Sequence, residues 1–186
     1  MNAYDLPTSL TIGEVVHPIR YGWRAALDIF AACSDPELDE GMRSEAILEI
    51  FYPNWSSIPI SDIPEALQKA CDFLDCGQAH DASRQSGKLV DWEHDASVII
   101  PAINQVAGRE VRMDPNTHWW TFFGWYMSIG ESVFSTVLHI RKKLKKHQKL
   151  EKWEEDFYRN NRDMVDLSDY DSEEIKKEKE SILRFL

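Results

Sequence analysis

HWWTFFGWYMSIGE, residues 118–131, is the stretch on whose reading the fold turns. From His118 to Ile140 the chain carries one acid, Glu131, and neither lysine nor arginine; RKKLKKHQK then follows at 141–149. A long apolar run closed by basic residues is the pattern of a membrane span. It is also the pattern of a core helix whose last turn carries cations that suit the helix dipole. On a helical wheel drawn over 115–144, Thr121, Gly124, Ser128, Glu131, Ser135 and His139 fall in one arc. Trp119, Phe123, Tyr126, Val133, Val137 and Ile140 lie opposite, flanked by Phe122, Ile129, Phe134 and Leu138. A lipid-facing span is apolar all round, and a mid-span Glu131 would cost on the order of a few kcal/mol. The stretch therefore reads as one long, sided helix, the spine of a soluble core with its aromatic stripe buried. Trp125 falls outside the apolar arc, which makes it the aromatic to expect at a partner contact. The small residues Gly124, Ser128, Ser132 and Ser135 would let another helix approach closely, whether from this chain or another.

On the N-terminal side, residues 6–20, LPTSLTIGEVVHPIR, read as a β-hairpin. Ile12 and Val15, Val16 and Ile19 flank a tight Gly13-Glu14 turn, and Pro18 marks the second strand as an edge. A lone hairpin is marginal, so it must pack on helices or pair with another chain. From Trp23 the spacing is helical. Trp23, Ala26, Leu27, Phe30 and Ala31 share a face, and the helix ends before Ser34-Asp35-Pro36. A second helix begins between Glu37 and Met42, carries Ala46, Ile47, Ile50 and Phe51 on one face, and stops at Tyr52-Pro53. A third opens at Asp62 with Pro64 in its first turn and Glu65 completing a capped start. It carries Leu67, Ala70, Cys71 and Leu74 and closes at Gly77. Residues 78–88 form a polar loop.

A fourth helix is predicted over 88–108, with Leu89, Trp92, Ala96, Ile99, Ile103 and Val106 on its face. Pro101 should kink or break it near Ile100, and Gly108 should end it. Val111 to Met113 are extended, and Asp114-Pro115 opens the helix first quoted. Two charged amphipathic segments follow Lys149. One places Leu150, Trp153 and Phe157 together; the other, after Asp171 and Glu174, places Ile175, Ile182 and Leu186 together. The predicted fold is mainly α, about five to seven helices with a short N-terminal β-hairpin. It is divided into a helical core over 1–141 and a charged helical C-terminal arm over 142–186.

The formal net charge of -11 argues against general nucleic-acid binding and keeps an aromatic-rich chain soluble. Cys33, Cys71 and Cys76 are odd in number and lack a zinc spacing, so they read as reduced, buried thiols. MNAYDLPTSL has neither a basic start nor an apolar run, so no leader is expected and the cytoplasm is the expected location. No G-x-S-x-G elbow, P-loop or dinucleotide glycine fingerprint occurs, and none of the six histidines forms an i,i+4 pair. Glu93, His94 and Asp95 are consecutive, so they point apart and read as solvated. Asp91 and Asp95, four apart, read as solvated acids near a helix start rather than as ligands of a shared cation. No catalytic, cofactor-binding or metal-ligating residue is identified, and no cofactor is implied. The strong patch is Arg141, Lys142, Lys143, Lys145, Lys146 and Lys149. Glu151, Glu154, Glu155 and Asp156 follow at once, so the patch reads as a face neutralised along the helix, with a protein-docking role as the alternative. The candidate partner-binding residues are Trp119, Trp120, Trp125, Arg141, Lys142, Lys143, Lys145 and Lys146.

Taken in order, YDLPTSLTIGEVVHPIR, LEIFYPNW, KLVDWEHDASVIIPAINQVAGREV, HWWTFFGWYMSIGESVFSTVLHIRKK and LEKWEEDFYRNNRDMVDL carry a resemblance over nearly the whole chain. The chain resembles the bacteriophage gene-product-fifteen family of tailed phages and prophages of Gram-positive bacteria. The HWWTF, D-W-E-x-D and R-x-N-R-D-x-V-x-L blocks are the specific parts. One departure is Gly13-Glu14, where paired glycines are expected. The resemblance implies a helical protein encoded near the tape measure gene, regarded as a non-catalytic tail assembly chaperone in the host cytoplasm. Its implied partners are the tape measure protein, coated until tail-tube subunits polymerise around it, and the major tail protein. It implies neither a membrane nor a nucleic-acid partner and leaves a homo-oligomer open. The alternatives are a structural tail component retained in the virion and a small regulatory or nucleic-acid-binding phage protein.

Overall fold

The computed structural model describes residues 4–77 and 89–167. Strands β1 (Ser9–Ile12) and β2 (Val15–Pro18) are followed by α1 (Trp23–Ser34), α2 (Glu40–Phe51), α3 (Ile63–Leu74), α4 (Ala96–Ala107) and α5 (Trp119–Met127). Then come α6 (Val133–Lys145), α7 (Lys152–Asn160) and α8 (Arg162–Val165). The mainly α class with an N-terminal hairpin is as predicted. The described residues form two compact units, one from 4–77 and 98–130, the other from 89–97 and 131–167. The division expected at 141/142 lies within α6. The loop expected at 78–88 and the segment expected after Asp171 lie outside the described residues.

In the first unit the hairpin turns at Gly13-Glu14 as predicted, with Ile12 opposite Val15 and Leu10 opposite His17. Gly13 takes φ +57°, which a residue with a Cβ adopts only under strain. The hairpin packs on α3. The Gly13 N–H donates to Glu65 Oε2 at 2.9 Å, and Lys69 Nζ donates to the Thr11 carbonyl. Glu65 therefore serves the hairpin, and Asp62, although it precedes α3, makes no side-chain cap. The buried faces differ from those predicted by about one residue. α1 buries Ile29 with Trp23 and Ala26, while Ala31 is exposed. α3 buries Ala66, Ala70, Phe73 and Leu74, which turns Cys71 outward. Cys33 is exposed as well, so these two thiols are not core residues, and Cys76 is half-buried.

The fourth helix starts later than predicted. Asp91 Oδ1 accepts from the Glu93 and His94 N–H groups at 3.0 and 2.9 Å, a turn that holds 91–95 out of the helix. α4 then runs unbroken from Ala96 to Ala107 with Pro101 exposed inside it. The N–H that proline lacks would have bonded the exposed Ser97, in the first turn. Val111–Met113 is a 3-10 turn rather than an extended segment.

The quoted stretch is not one helix. Asp114 does not open it. Its carboxylate is taken up by the Asn116 N–H, the Thr117 hydroxyl and Arg109. α5 begins at Trp119, capped by His118 Nδ1, which accepts from the Trp120 N–H at 3.1 Å. It ends at Ser128, whose N–H is shared between the Gly124 and Trp125 carbonyls. A new helix, α6, starts from a reciprocal Ser132–Ser135 capping box, with bonds of 2.9 and 3.1 Å. The two units divide between Gly130 and Glu131, in this interruption. At nine residues α5 is about 14 Å long, less than half the hydrocarbon thickness. No helix among the described residues is long and apolar enough to cross a membrane.

Trp119 and Trp120 close the first unit. Their indole N–H groups donate to the Leu74 and Phe73 carbonyls at 2.9 and 2.8 Å, the last two residues of α3. Helix C-termini leave such carbonyls without intrahelical partners, and a buried indole needs an acceptor, so one arrangement meets both requirements. Backbone bonds from Trp23 N–H to Thr117 and from Trp119 N–H to Tyr21 join the starts of α1 and α5. The Trp23 ring stacks on Phe122 with centroids 4.6 Å apart.

The second unit has a small core of Val137, Ile140 and Val165, flanked by Leu144, Leu150, Phe157, Tyr158 and Met164. Trp153, predicted to join Leu150 and Phe157, is exposed. The buried residue of α7 is instead an acid, Glu154.

His118 yields a pH prediction. Its Nε2 donates to the Pro7 carbonyl at 3.0 Å while Nδ1 accepts, which is the neutral tautomer. Burial pushes its pKa below the ordinary 6.5, and the Pro7 bond opposes this only in part. A histidine depressed in the folded state contributes stability that is present above its unfolded value and lost as pH falls through the folded one. We expect the His118 ring signals in an NMR titration to move below 6.5, with urea stability falling over the same range. A midpoint at or above 6.5 would contradict the depression attributed to burial.

Candidate partner-binding surface

The structure separates the predicted residues into buried anchors and surface groups. Trp119 has no exposed surface and packs among Phe30, Phe122 and Phe123. Trp120 is half-buried, its ring 5.9 Å from that of Phe73. Trp125 is half-buried on α5, with the Arg109 guanidinium 5.4 Å from its ring centroid. Arg109 is itself held by Asp114 at 3.0 Å and the Thr117 hydroxyl at 3.2 Å, so this cation–π contact is braced from behind. Trp119 therefore leaves the candidate surface, and Trp125 and the outer edge of Trp120 remain on it.

Arg141 leaves it too. It is 4% exposed, and each of its five N–H donors has an acceptor. Nη1 and Nη2 grip the two Asp95 oxygens at 2.7 Å each. Nη1 also reaches the Leu89 carbonyl, Nη2 the Met164 carbonyl, and Nε the Val165 carbonyl. Asp95, expected to be solvated, is 1% exposed and takes a further bond from the Asp91 N–H at 3.0 Å. A bidentate guanidinium–carboxylate pair with every guanidinium proton used and a backbone N–H on the carboxylate is the geometry in which a buried ion pair is tolerated. It ties together the D-W-E-x-D block, α6 and the R-x-N-R-D-x-V-x-L block. Spacing could not reveal it, because Asp95 and Arg141 are 46 residues apart.

Lys143 is likewise engaged. Its Nζ contacts both Glu154 oxygens at 2.6 and 2.8 Å. Glu154 also accepts from the Glu151 N–H at 2.6 Å and pairs with His139 at 2.9 Å. Burial raises the pKa of this carboxyl, but Lys143, the Glu151 N–H and His139 together outweigh it and hold the group below its ordinary range. Within the basic run Lys143 is thus paired across from α6 to α7, not along one helix. Lys142 and Lys146 remain exposed, four residues apart on one face, with Lys145 half-buried nearby. No cluster of three or more His, Cys, Asp or Glu side chains suited to a metal ion occurs among the described residues. The surviving candidates fall in different units, Trp120 and Trp125 in the first and Lys142, Lys145 and Lys146 in the second.

The Asp95–Arg141 pair sets up a double-mutant cycle. Arg141→Met or Asp95→Leu alone leaves a buried charge without its partner and should cost about 3–5 kcal/mol in urea unfolding. Combined, the two changes should recover much of that loss, giving a strongly non-additive cycle. Additive losses would mean that the two charges are not coupled.

Neither a curated protein nor a solved structure matches the chain. One family model, described as Bacteriophage Gp15 protein, matches residues 3–167, which include both indole donors, Asp95, Arg141 and Val165. The chain thus belongs to the bacteriophage Gp15 protein family.

Proposed function

We propose that the chain is a tail assembly chaperone, which binds the tape measure protein and keeps it soluble while tail-tube subunits assemble around it, without catalysis. Membership of a phage protein family over residues 3–167 carries the reading. The net charge of -11 supports it, since a strongly charged chain can hold an apolar helical client in solution. So do the surface groups that the fold leaves over, Trp125 under Arg109 and the exposed Lys142 and Lys146. The expected site of action is the host cytoplasm, and the major tail protein is the expected second contact.

Co-expression with the tape measure protein should give a complex that co-elutes in size-exclusion chromatography. Trp125→Ala combined with Lys142→Glu and Lys146→Glu should reduce co-elution about tenfold, a change of about 1.4 kcal/mol. Lys143 is left intact because it holds Glu154. Absence of a wild-type complex rejects the chaperone role, whereas unchanged co-elution of a folded variant rejects these contacts. Mass spectrometry of purified particles should find the chain absent or in trace amounts; stoichiometric amounts would make it a structural tail component.

A further inference from the structure

We infer that a groove along α2 is a docking site for an amphipathic helix of a partner protein whose apolar stripe is edged by lysine or arginine. The inference does not depend on the chaperone role. One wall is α2, through Gly41, Ser44, Glu45 and Leu48. These sit at i, i+3, i+4 and i+7, a single stripe about 10 Å long. The other wall is Trp55, Ile58, Ile60 and Ile63, from the two 3-10 turns and the start of α3. Between them lies a cavity of about 480 Å³, within the usual range of ligand clefts.

The groove stays open for a local reason. Gly41 and Ser44 are too small to fill the space above the α2 backbone, and Pro53 and Pro59 bracket the turns opposite. Its apolar surface is left to water. Ile60 is 91% exposed and Met42, on the neighbouring face of α2, is 51% exposed. An isoleucine this exposed at the rim of an apolar cleft is what a partner helix would cover.

Charge selects the kind of helix. Glu45 is the ionisable residue in the lining, and no basic residue lines it. Glu49 follows one turn along α2, and Asp39 and Glu40 stand at its start. Of the neighbouring bases, Lys69 pairs with Glu65 at 2.6 Å, and Arg43, outside the lining, donates to the Asp35 carbonyl at 2.8 Å. An acidic rim over an apolar floor attracts cations that flank an apolar stripe and repels an acidic helix.

The test uses the full chain and three fluorescent peptides of about sixteen residues, roughly four helical turns. The first has leucines at i, i+3, i+4 and i+7 flanked by lysines. The second replaces lysine by glutamate, and the third scrambles the first. Anisotropy titration should show the first binding at least tenfold more tightly than both others. Ser44→Trp, which fills the groove without changing charge, and Glu45→Lys should each weaken it tenfold or more. Glu93→Lys, exposed and outside the lining, should leave it within twofold. Ile60→Asp, at a position already exposed, replaces Ser44→Trp should that variant fail to fold. Equal binding of the scrambled peptide, tight binding of the acidic one, or indifference to the groove variants overturns the inference. So does a wild-type dimer, seen by sedimentation, that Ile60→Asp converts to monomer, since the occupant would then be a second copy.

Discussion

An indole can be buried only where its N–H finds an acceptor, and much of the first unit follows from how that is met for two adjacent tryptophans. Consecutive residues at a helix start point in different directions, so Trp119 and Trp120 could not normally share a target. Here both reach the end of α3, where the Leu74 carbonyl takes the Trp119 indole N–H and the Phe73 carbonyl takes that of Trp120 beside the Cys76 N–H. His118 then has to cap α5 and reach Pro7 at once, which fixes its tautomer and brings the segment before the hairpin against the aromatic core. The HWW tripeptide is thus a structural clamp. Its rings are unavailable or half-available to a partner because the fold has already used their polar ends.

Arg141 does the same for the second unit by a different force. That unit has few buried apolar residues, and its segments are drawn from distant parts of the sequence. A guanidinium with five donors can hold one carboxylate and three carbonyls together in a way that a leucine cannot. Removing a charge from water is costly, so the geometry must be complete, and here it is. The consequence for function is subtraction. Arg141 and Lys143, two candidates of the basic run, are consumed internally, while Lys142 and Lys146 stay exposed. The groove on α2 differs in kind, because no described residue fills it.

The elements were largely legible in the sequence. Alternation and the Gly13 turn defined the hairpin, and helical spacing with proline and glycine punctuation found α1, α2, α3 and the ends near Gly77 and Gly108. The interruption at 128–132 was written there as well. Gly130 followed by Ser132 and Ser135 is a stop and a capped start, but the continuous apolar arc masked it. Trp153 and Glu154 show why faces were harder than elements. Periodicity says which residues share a side, and a buried acid on α7 contradicts any rule that assigns the inner side by polarity.

By itself the sequence determined the mainly α class, the hairpin and the family. These depend on local spacing and on blocks of consecutive residues. Only the tertiary structure decided which polar groups are spent and which are free. Whether Asp95 is solvated or buried depends on an arginine 46 residues away, and whether Trp119 is a contact or a clamp depends on where α3 ends. Hydrogen bonds and ion pairs between distant segments leave no periodic trace in a chain, because each needs only two groups brought together by everything that lies between them.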